Sequence, residues 1–154
     1  MDCTFQTDAG RFNYRVGAII TSDLGLLVVS NSKEPYFYSV GGRVKLHETA
    51  DEAIEREVFE ETGKRIKQKK LGFFHENFFT SALTNERYHE LCLYYYIELS
   101  DKLVSSSSRN EFGAQEQLLW LSLGELQDAD IRPAFLKKIT NEKKESVQHL
   151  IQKK

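Results

Sequence analysis

Apolar and polar residues alternate over short stretches along most of the chain, a pattern that is typical of β-strands. Six segments have this pattern and are bounded by turn-forming residues: residues 14–21, 25–30, 36–40, 71–79, 88–99 and 118–121. In the longest of them, the side chains that share one face are all apolar: Leu91, Leu93, Tyr95, Ile97 and Leu99. The pattern therefore predicts a fold that is mainly β.

Residues 49–62 have the period of an α-helix instead, and both ends of this helix are marked in the sequence. Thr49 is a favourable N-cap, and Glu52 three residues later completes a capping-box pattern. Gly63 follows the last periodic residue, at a position where helices often end in a left-handed conformation. We therefore predict one well-defined helix in the middle of the chain.

The last third of the chain has weaker signals. Pro133 fits the first turn of a short helix. Residues 145–152 are predicted to form a final amphipathic helix that buries Val147 and Ile151, among others. Residues 105–108 are all serine and are predicted to be a mobile surface loop. The order of strands, one helix, more strands and then helices predicts an α+β fold in which helices flank a mixed sheet.

Composition narrows the class of protein. The chain has 154 residues, 40% of them hydrophobic, which predicts one domain over residues 1–154 with a core of its own. The formal net charge of −2 argues against binding to a nucleic-acid polymer. Cys3 and Cys92 form no disulfide framework, and residues 91–99, the most apolar run, are too short to span a membrane. With no signal peptide visible, we expect a soluble cytoplasmic protein.

The predicted helix carries the most informative chemistry. On a helical wheel, Glu57 and Glu61 fall within the apolar arc, and Glu60 lies at its edge. Carboxylates that face a core are costly unless a cation is beside them, and oxygen ligands of this kind suit Mg²⁺ or Mn²⁺. The alternative is an ordinary acidic helix in which Arg56 pairs with Glu60 or Glu52 at helical spacing.

Residues 42–64 resemble the Nudix box, G-x5-E-x7-R-E-U-x-E-E-x-G-U, in which U is a bulky aliphatic residue. The chain fills all of the fixed positions: Gly42, Glu48, Arg56, Glu57, Glu60, Glu61 and Gly63. Val58 fills the first aliphatic position. Two positions differ from the usual pattern: Lys64 replaces an aliphatic residue, for which we expect Ile66 to substitute in space, and Val40 replaces a common proline.

The resemblance implies an α/β/α sandwich with a mixed sheet, and it implies roles for particular residues. Glu57, Glu60 and Glu61 would bind a metal ion, Mg²⁺ with Mn²⁺ as an alternative, together with the backbone carbonyl of Gly41. Arg56 would orient one of the glutamates through a salt bridge. The implied reaction is attack of water on a phosphorus atom of a diphosphate.

The general base of this reaction is left open by the resemblance, because it differs among members of the family. The candidates in this chain are Glu57, Glu90, Glu111 and Glu116. Four residues are candidates for binding the substrate: Arg15, Arg43, Glu90 and Glu116. The two arginines are included because a guanidinium group matches phosphate oxygens in a bidentate way.

The sequence limits the possible classes of substrate but does not identify the substrate. About sixteen residues past the box, ADP-ribose hydrolases resemble one another in a proline, and diadenosine polyphosphate hydrolases in a tyrosine. Residues 78–82 of this chain contain neither, so the subfamily stays unassigned. A nucleoside triphosphate or a nucleoside diphosphate derivative remains open, with a small-molecule nucleotide as the partner and a homodimer as a possible assembly. The alternatives are a catalytically silent nucleotide-binding or sensing module and an acidic structural domain without a ligand.

Overall fold

A computed structural model of the protein describes residues 1–103, 106–109, 115–139 and 143–153. The strands in these ranges are β1 (Thr4–Thr7), β2 (Gly10–Ser22), β3 (Gly25–Asn31), β4 (Glu34–Tyr38), β5 (Val40–Arg43), β6 (Ile66–Thr80), β7 (Arg87–Leu99), β8 (Ser106–Arg109), β9 (Gln115–Leu121), β10 (Ile131–Arg132) and β11 (Gln148–Lys153). The helices are α1 (Ala50–Thr62), α2 (Leu123–Asp128) and a short 3₁₀ helix, Ala134–Lys138.

Strand β2 is the centre of a mixed, curled sheet. Along one edge it pairs in antiparallel fashion with β1 and then with β5, and along the other edge it runs parallel to β7. Strand β6 pairs with β7 in antiparallel fashion, and β11 then adds in parallel to β6. The end of β2 turns into β3, which pairs with β4 on one side and β9 on the other. Strand β4 in turn pairs with β10, and β9 pairs with β8.

Helix α1 has the ends that the sequence predicts. The Thr49 side chain accepts from the Glu52 N–H, the Glu52 side chain accepts from the Thr49 N–H, and Gly63 ends the helix with a φ of 71°. The buried face of α1 contains Ala53, Ile54 and Val58, which pack against apolar side chains on one face of the sheet. This packing holds the helix beside β2 and β5.

The opposite face of the sheet has a second core. It joins Ile19 and Tyr94 of the sheet to Leu126 of α2 and Leu136 of the 3₁₀ helix. The 3₁₀ helix follows Pro133, as predicted from the sequence. Within the described residues, no helix is long and apolar enough to cross a membrane. The predicted α+β class, with a mixed sheet and flanking helices, is confirmed.

The predicted final helix over residues 145–152 is wrong, because this segment forms strand β11. Its burial alternates with a period of two: Leu150 packs against the core, whereas Ile151 is 64% exposed. The free edge of β6 supplies the backbone hydrogen-bond partners that favour a strand here. Three apolar residues in such a short segment fit either period, so the pattern alone favours the wrong element.

The predicted loop over residues 105–108 is also partly wrong. Ser106–Arg109 forms β8, which pairs with β9 in antiparallel fashion, and residue 105 lies outside the described residues. Serine has little intrinsic preference for strands, so the pairing with a neighbouring strand decides the conformation rather than the local sequence.

Candidate active site

The candidate site lies where the second half of α1 approaches β5. Gly42 of β5 is opposite Val16 of β2, and the Glu57 carboxylate lies directly over the Gly42 backbone. A Cβ atom at Gly42 would stand 2.4 Å from the carboxyl carbon of Glu57, so the carboxylate would have to move away from the strand. The missing side chain at this position is therefore what allows a carboxylate to sit against the strand.

Glu61 lies one turn further along α1 and is half-buried. Its Oε1 accepts a hydrogen bond from the Gly41 N–H at 3.4 Å. Burial and then the negative charges of Glu57 and Glu116 raise the pKa of Glu61 to about 8. Burial also raises the pKa of Glu57. Two carboxyl groups are thus brought together where neither is well solvated as an anion.

Arg56 connects these carboxylates to the loop before the helix. It forms a bidentate pair with Glu48, at 2.7 and 2.8 Å, and its Nη2 also donates to the Arg43 carbonyl oxygen at 3.0 Å. Its Nη1 donates to Glu57 at 2.7 Å and to Glu60 at 3.4 Å. The hydrogen bonds from Arg56 lower the pKa of Glu48 to about 2.

The alternative of an ordinary acidic helix accounts for part of this geometry. The Arg56–Glu60 ion pair is present, but it is the longest of the three pairs that Arg56 forms, and the Glu60 side chain is 53% exposed. Glu52 caps the helix instead of pairing with Arg56. Simple surface pairing therefore explains Glu60, but it does not explain why Glu57 and Glu61 point inward.

The metal-ligand residues do not converge on one point in this conformation. Within the described part of the chain, no group of three or more His, Cys, Asp or Glu side chains is arranged to hold a metal ion. The Nη1 atom of Arg56 donates to both Glu57 and Glu60, so these two carboxylates are directed at the guanidinium group in this conformation. Glu61 and the Gly41 backbone remain on the other side of Glu57.

Arg15 of β2 and Arg43 of β5, both predicted to bind phosphate, are directly opposite each other in the sheet. Burial is the largest single influence on Arg15 and by itself would lower its pKa. The negative charge of Glu90, with weaker contributions that include Glu57, outweighs burial, so the pKa of Arg15 is raised overall. Arg43 is partly exposed, and its Nη1 lies 4.0 Å from Asp2. Arg15 is thus near enough to Glu57 for their charges to interact, and Arg43 is its neighbour in the sheet.

The three carboxylates considered outside the helix have different surroundings. Glu90 of β7 accepts a hydrogen bond from the buried Asn13 at 3.3 Å and attracts Arg15. Glu116 of β9 is opposite Asn31 and lies near enough to Glu61 to raise its pKa. Glu111 lies outside the described residues. The structure therefore brings Glu116 toward the helix carboxylates and Glu90 toward Arg15.

Tyr38 is a residue near the site that the sequence analysis did not identify. Burial, and then the charges of Glu116, Glu34 and Glu61, raise its pKa to about 12, while a hydrogen bond donated by Asn31 at 3.4 Å opposes the shift. The sequence gives one signal for it, a position three residues before Gly41 in an aromatic strand. From the sequence alone, this position predicts only that Tyr38 belongs to a strand.

The two departures from the box pattern have simple structural outcomes. Lys64 forms an ion pair with Asp101 at 3.4 Å on the surface. Ile66 packs against the core cluster that includes α1, so it supplies the apolar contact expected of the last box position. Val40 is fully buried in the same cluster.

Comparisons with known proteins agree with this geometry. A model of the NUDIX domain matches residues 11–143, which is most of the chain. The chain therefore belongs to the Nudix family, and this membership supports pyrophosphohydrolase activity in general. Comparison with curated protein sequences finds no match.

Solved structures with a similar fold include other Nudix proteins. A MutT protein from Bacillus halodurans has a TM-score of 0.68 at 14% identity, with 89% of each chain covered. A MutT NUDIX hydrolase from Burkholderia pseudomallei has a TM-score of 0.57 at 23% identity, covering 73% of this chain and 84% of that one. A UDP-X diphosphatase has a TM-score of 0.54 at 20% identity, covering 90% of this chain and 66% of that one.

The Arg56–Glu48 pair leads to a prediction about stability and pH. The folded-state pKa of Glu48 lies below its usual 4.5, so its ionisation stabilises the fold above pH 4.5, and this contribution is lost as the pH falls toward 2. We expect Glu48→Gln to lower the free energy of unfolding at pH 7 by about 1–3 kcal/mol. The difference from the wild type should shrink below pH 4.5. Urea denaturation at several pH values measures it, and a constant difference down to pH 2 would contradict the assignment.

Proposed function

We propose that the chain acts as a single domain, residues 1–154, that hydrolyses a diphosphate linkage in a nucleoside diphosphate derivative or a nucleoside triphosphate, with a divalent metal ion. The observation that carries the proposal is the position of Glu57 and Glu61, two half-buried carboxylates against the Gly41–Gly42 backbone. A structural role alone would not favour burying two like charges one turn apart.

The donor set fits a hard divalent cation. Carboxylate oxygens of Glu57, Glu60 and Glu61 and the carbonyl oxygen of Gly41 are ligands that suit Mg²⁺, with Mn²⁺ as an alternative. A cation there would offset the repulsion and burial that raise the pKa of Glu61. Nudix hydrolases generally use divalent cations, so the proposed cofactor agrees with the family. When bound, such an ion would neutralise diphosphate oxygens and lower the pKa of the attacking water.

The residues of the chain would then have distinct roles. Arg56 fixes the direction of Glu57 through the 2.7 Å hydrogen bond and anchors the helix to the loop through Glu48. Arg15 and Arg43, side by side on β2 and β5, would bind the phosphate groups that are not attacked. Glu60 exchanges its long contact with Arg56 for the cation at little cost, because that contact is exposed.

Glu116 is the better placed of the two candidate bases outside the helix that the structure describes, Glu90 and Glu116. Its charge raises the pKa of Glu61, so it lies on the side of the site where the helix carboxylates are. Glu90 is engaged by Asn13 and Arg15, which suits substrate binding better than proton transfer. Glu57 is the alternative base, but it is also the proposed ligand most tightly held by Arg56.

Two substrate classes deserve equal testing. The names of the similar structures include MutT proteins and a UDP-X diphosphatase, so nucleoside triphosphates and UDP-linked diphosphates both belong in the panel. The proposed partner is a small-molecule nucleotide, and a homodimer is the proposed assembly.

A catalytically silent nucleotide-binding or sensing module is the second candidate, and one observation favours it. Arg56 pairs with Glu57 and Glu60, so in this conformation two of the proposed ligands are already neutralised. A protein that only binds nucleotides could retain this arrangement without turnover.

Turnover distinguishes these candidates. We expect Mg²⁺- or Mn²⁺-dependent release of phosphate products from at least one nucleoside triphosphate, nucleotide sugar or dinucleotide, and its loss when EDTA removes the metal. Glu57→Gln and Glu61→Gln should each lower kcat by about 100-fold or more, since each removes a charge from the reacting site. Glu55→Gln is the matched control, because Glu55 is exposed on the same helix and pairs with Lys69.

Tight nucleotide binding without turnover of any panel member would instead support the sensing module. Equal loss of activity in the Glu55→Gln control would show that the helix, rather than the two inward carboxylates, is what the reaction depends on.

The close approach of Glu57 to Gly42 gives a second test. A Cβ atom at position 42 would displace the flexible end of the Glu57 side chain rather than backbone. We therefore expect Gly42→Ala to lower kcat by tenfold or more while the far-ultraviolet circular dichroism spectrum is retained. Gly124→Ala is the control, because a Cβ there meets only the Ser122 hydroxyl at 4.0 Å. Wild-type activity in Gly42→Ala would remove Glu57 from the mechanism.

A further inference from the structure

A row of aromatic residues crosses the end of the sheet that α1 does not cover. The strand registers place Phe5 of β1 opposite Phe12 of β2, Phe12 opposite His89 of β7, and His89 opposite Phe78 of β6. Lys153 of β11 is opposite Phe78 and ends the row. Residues that are directly opposite each other in a sheet share one face, so five neighbouring strands each contribute one side chain to a single strip. We call these five residues the aromatic row.

Three rings of the aromatic row, those of Phe12, His89 and Phe78, are in contact in that order. The centroids of Phe12 and His89 are 5.4 Å apart in an edge-on arrangement, and those of His89 and Phe78 are 4.5 Å apart. The Nζ atom of Lys153 lies 5.4 Å from the Phe78 ring centroid. Phe12, His89 and Phe78 therefore form a continuous π surface with a positive charge at one end.

The row lies outside the two cores of the protein. Neither core cluster contains Phe5, Phe12 or Phe78. Phe5 is 45% exposed, and His89 is also exposed. The strip borders a concave region of about 480 Å³, within the range of small-molecule sites. Phe12 is four residues from Val16 along β2, or about 13 Å from the strand position opposite Gly42.

The charges around this concavity are mainly positive. Arg87 and Lys153 line it and are exposed, and neither forms an ion pair among the described residues. Arg11 also lines it, but Glu86 neutralises it through a 3.0 Å ion pair. A chain with a formal net charge of −2 thus has a local cationic patch next to its aromatic row.

We propose that the aromatic row binds a free nucleotide at a second site, separate from the carboxylates of α1. Every base has a planar π face that stacks on aromatic side chains, and the phosphate of the same molecule complements Arg87 and Lys153. An uncharged aromatic ligand would leave both cations unused, and a cationic ligand would be repelled. The concave region of about 480 Å³ has room for one nucleotide, and the proposed occupant is therefore a mononucleotide.

Arg15 and the aromatic row occupy opposite faces of the sheet. Successive side chains along a strand point to alternate faces, so Phe12 shares its face with Tyr14 and Val16, whereas Arg15 points to the other face. A ligand on the row therefore does not touch Arg15. This inference does not rest on the proposed hydrolase function, and it stands or fails separately from it.

The test uses the full chain in EDTA and adenosine 5′-monophosphate, which has no diphosphate linkage to hydrolyse. Titration followed by two-dimensional amide NMR should shift resonances of β1, the start of β7 and the end of β6 together. Because stacking contributes about 1–3 kcal/mol per base, His89→Ala should raise the Kd at least fivefold. Arg87→Gln and Lys153→Gln should each raise the Kd severalfold and weaken its dependence on salt.

Two controls keep the proposal falsifiable if one variant is poorly folded. Arg65→Gln removes an exposed cation beside a different ring, that of Phe59, and should leave the Kd unchanged. Glu57→Gln should also leave this Kd unchanged, which separates the row from the proposed active site.

Three results would overturn the proposal. The first is adenosine 5′-monophosphate shifts confined to α1 and β5. The second is binding of a single-stranded oligonucleotide that tightens with length well beyond that of the mononucleotide, which would assign the row to a polymer. The third is a sedimentation-velocity dimer that His89→Ala dissociates, which would assign the row to a second copy of the chain.

Discussion

The guanidinium group of Arg56 is the interaction on which the candidate site depends. One side chain holds the loop before α1 through Glu48, the edge of β5 through the Arg43 carbonyl, and the helix through Glu57. These segments follow one another along the chain, and a charged group with this many short contacts fixes their relative positions. The close approach of Glu57 to Gly42 then follows from the anchoring of the helix.

The same arrangement explains how one small sheet can carry different chemistry at different places. Side chains on one face of β2, such as Val16, pack under α1, whereas Arg15 on the other face is drawn toward Glu90. Helix α1 covers only part of its face, and the uncovered end is aromatic with cations beside it. The alternation of side chains along β2 therefore separates the proposed phosphate contacts from the proposed nucleotide surface.

The sequence predicted best what is determined locally. The ends of α1 are set by Thr49, Glu52 and Gly63, which act within one turn of the chain, and these predictions were confirmed. Strand β11 was missed because its conformation depends on a free edge of β6 that lies 75 residues earlier in the chain. The inward direction of Glu57 was visible on a helical wheel, but the sharing of Arg56 between Glu57 and Glu60, and the neighbourhood of Tyr38, required the tertiary arrangement.

The central claim is that the carboxylates of α1 and the backbone of β5 form one divalent-cation site. Anomalous diffraction from crystals of the full chain grown with Mn²⁺ tests it most directly, because the manganese position is located independently of the protein atoms. We expect a peak within coordination distance of Glu57, Glu61 and the Gly41 carbonyl, with Glu57 released from Arg56. A peak elsewhere, or no peak at Mn²⁺ concentrations that support turnover, would contradict the account.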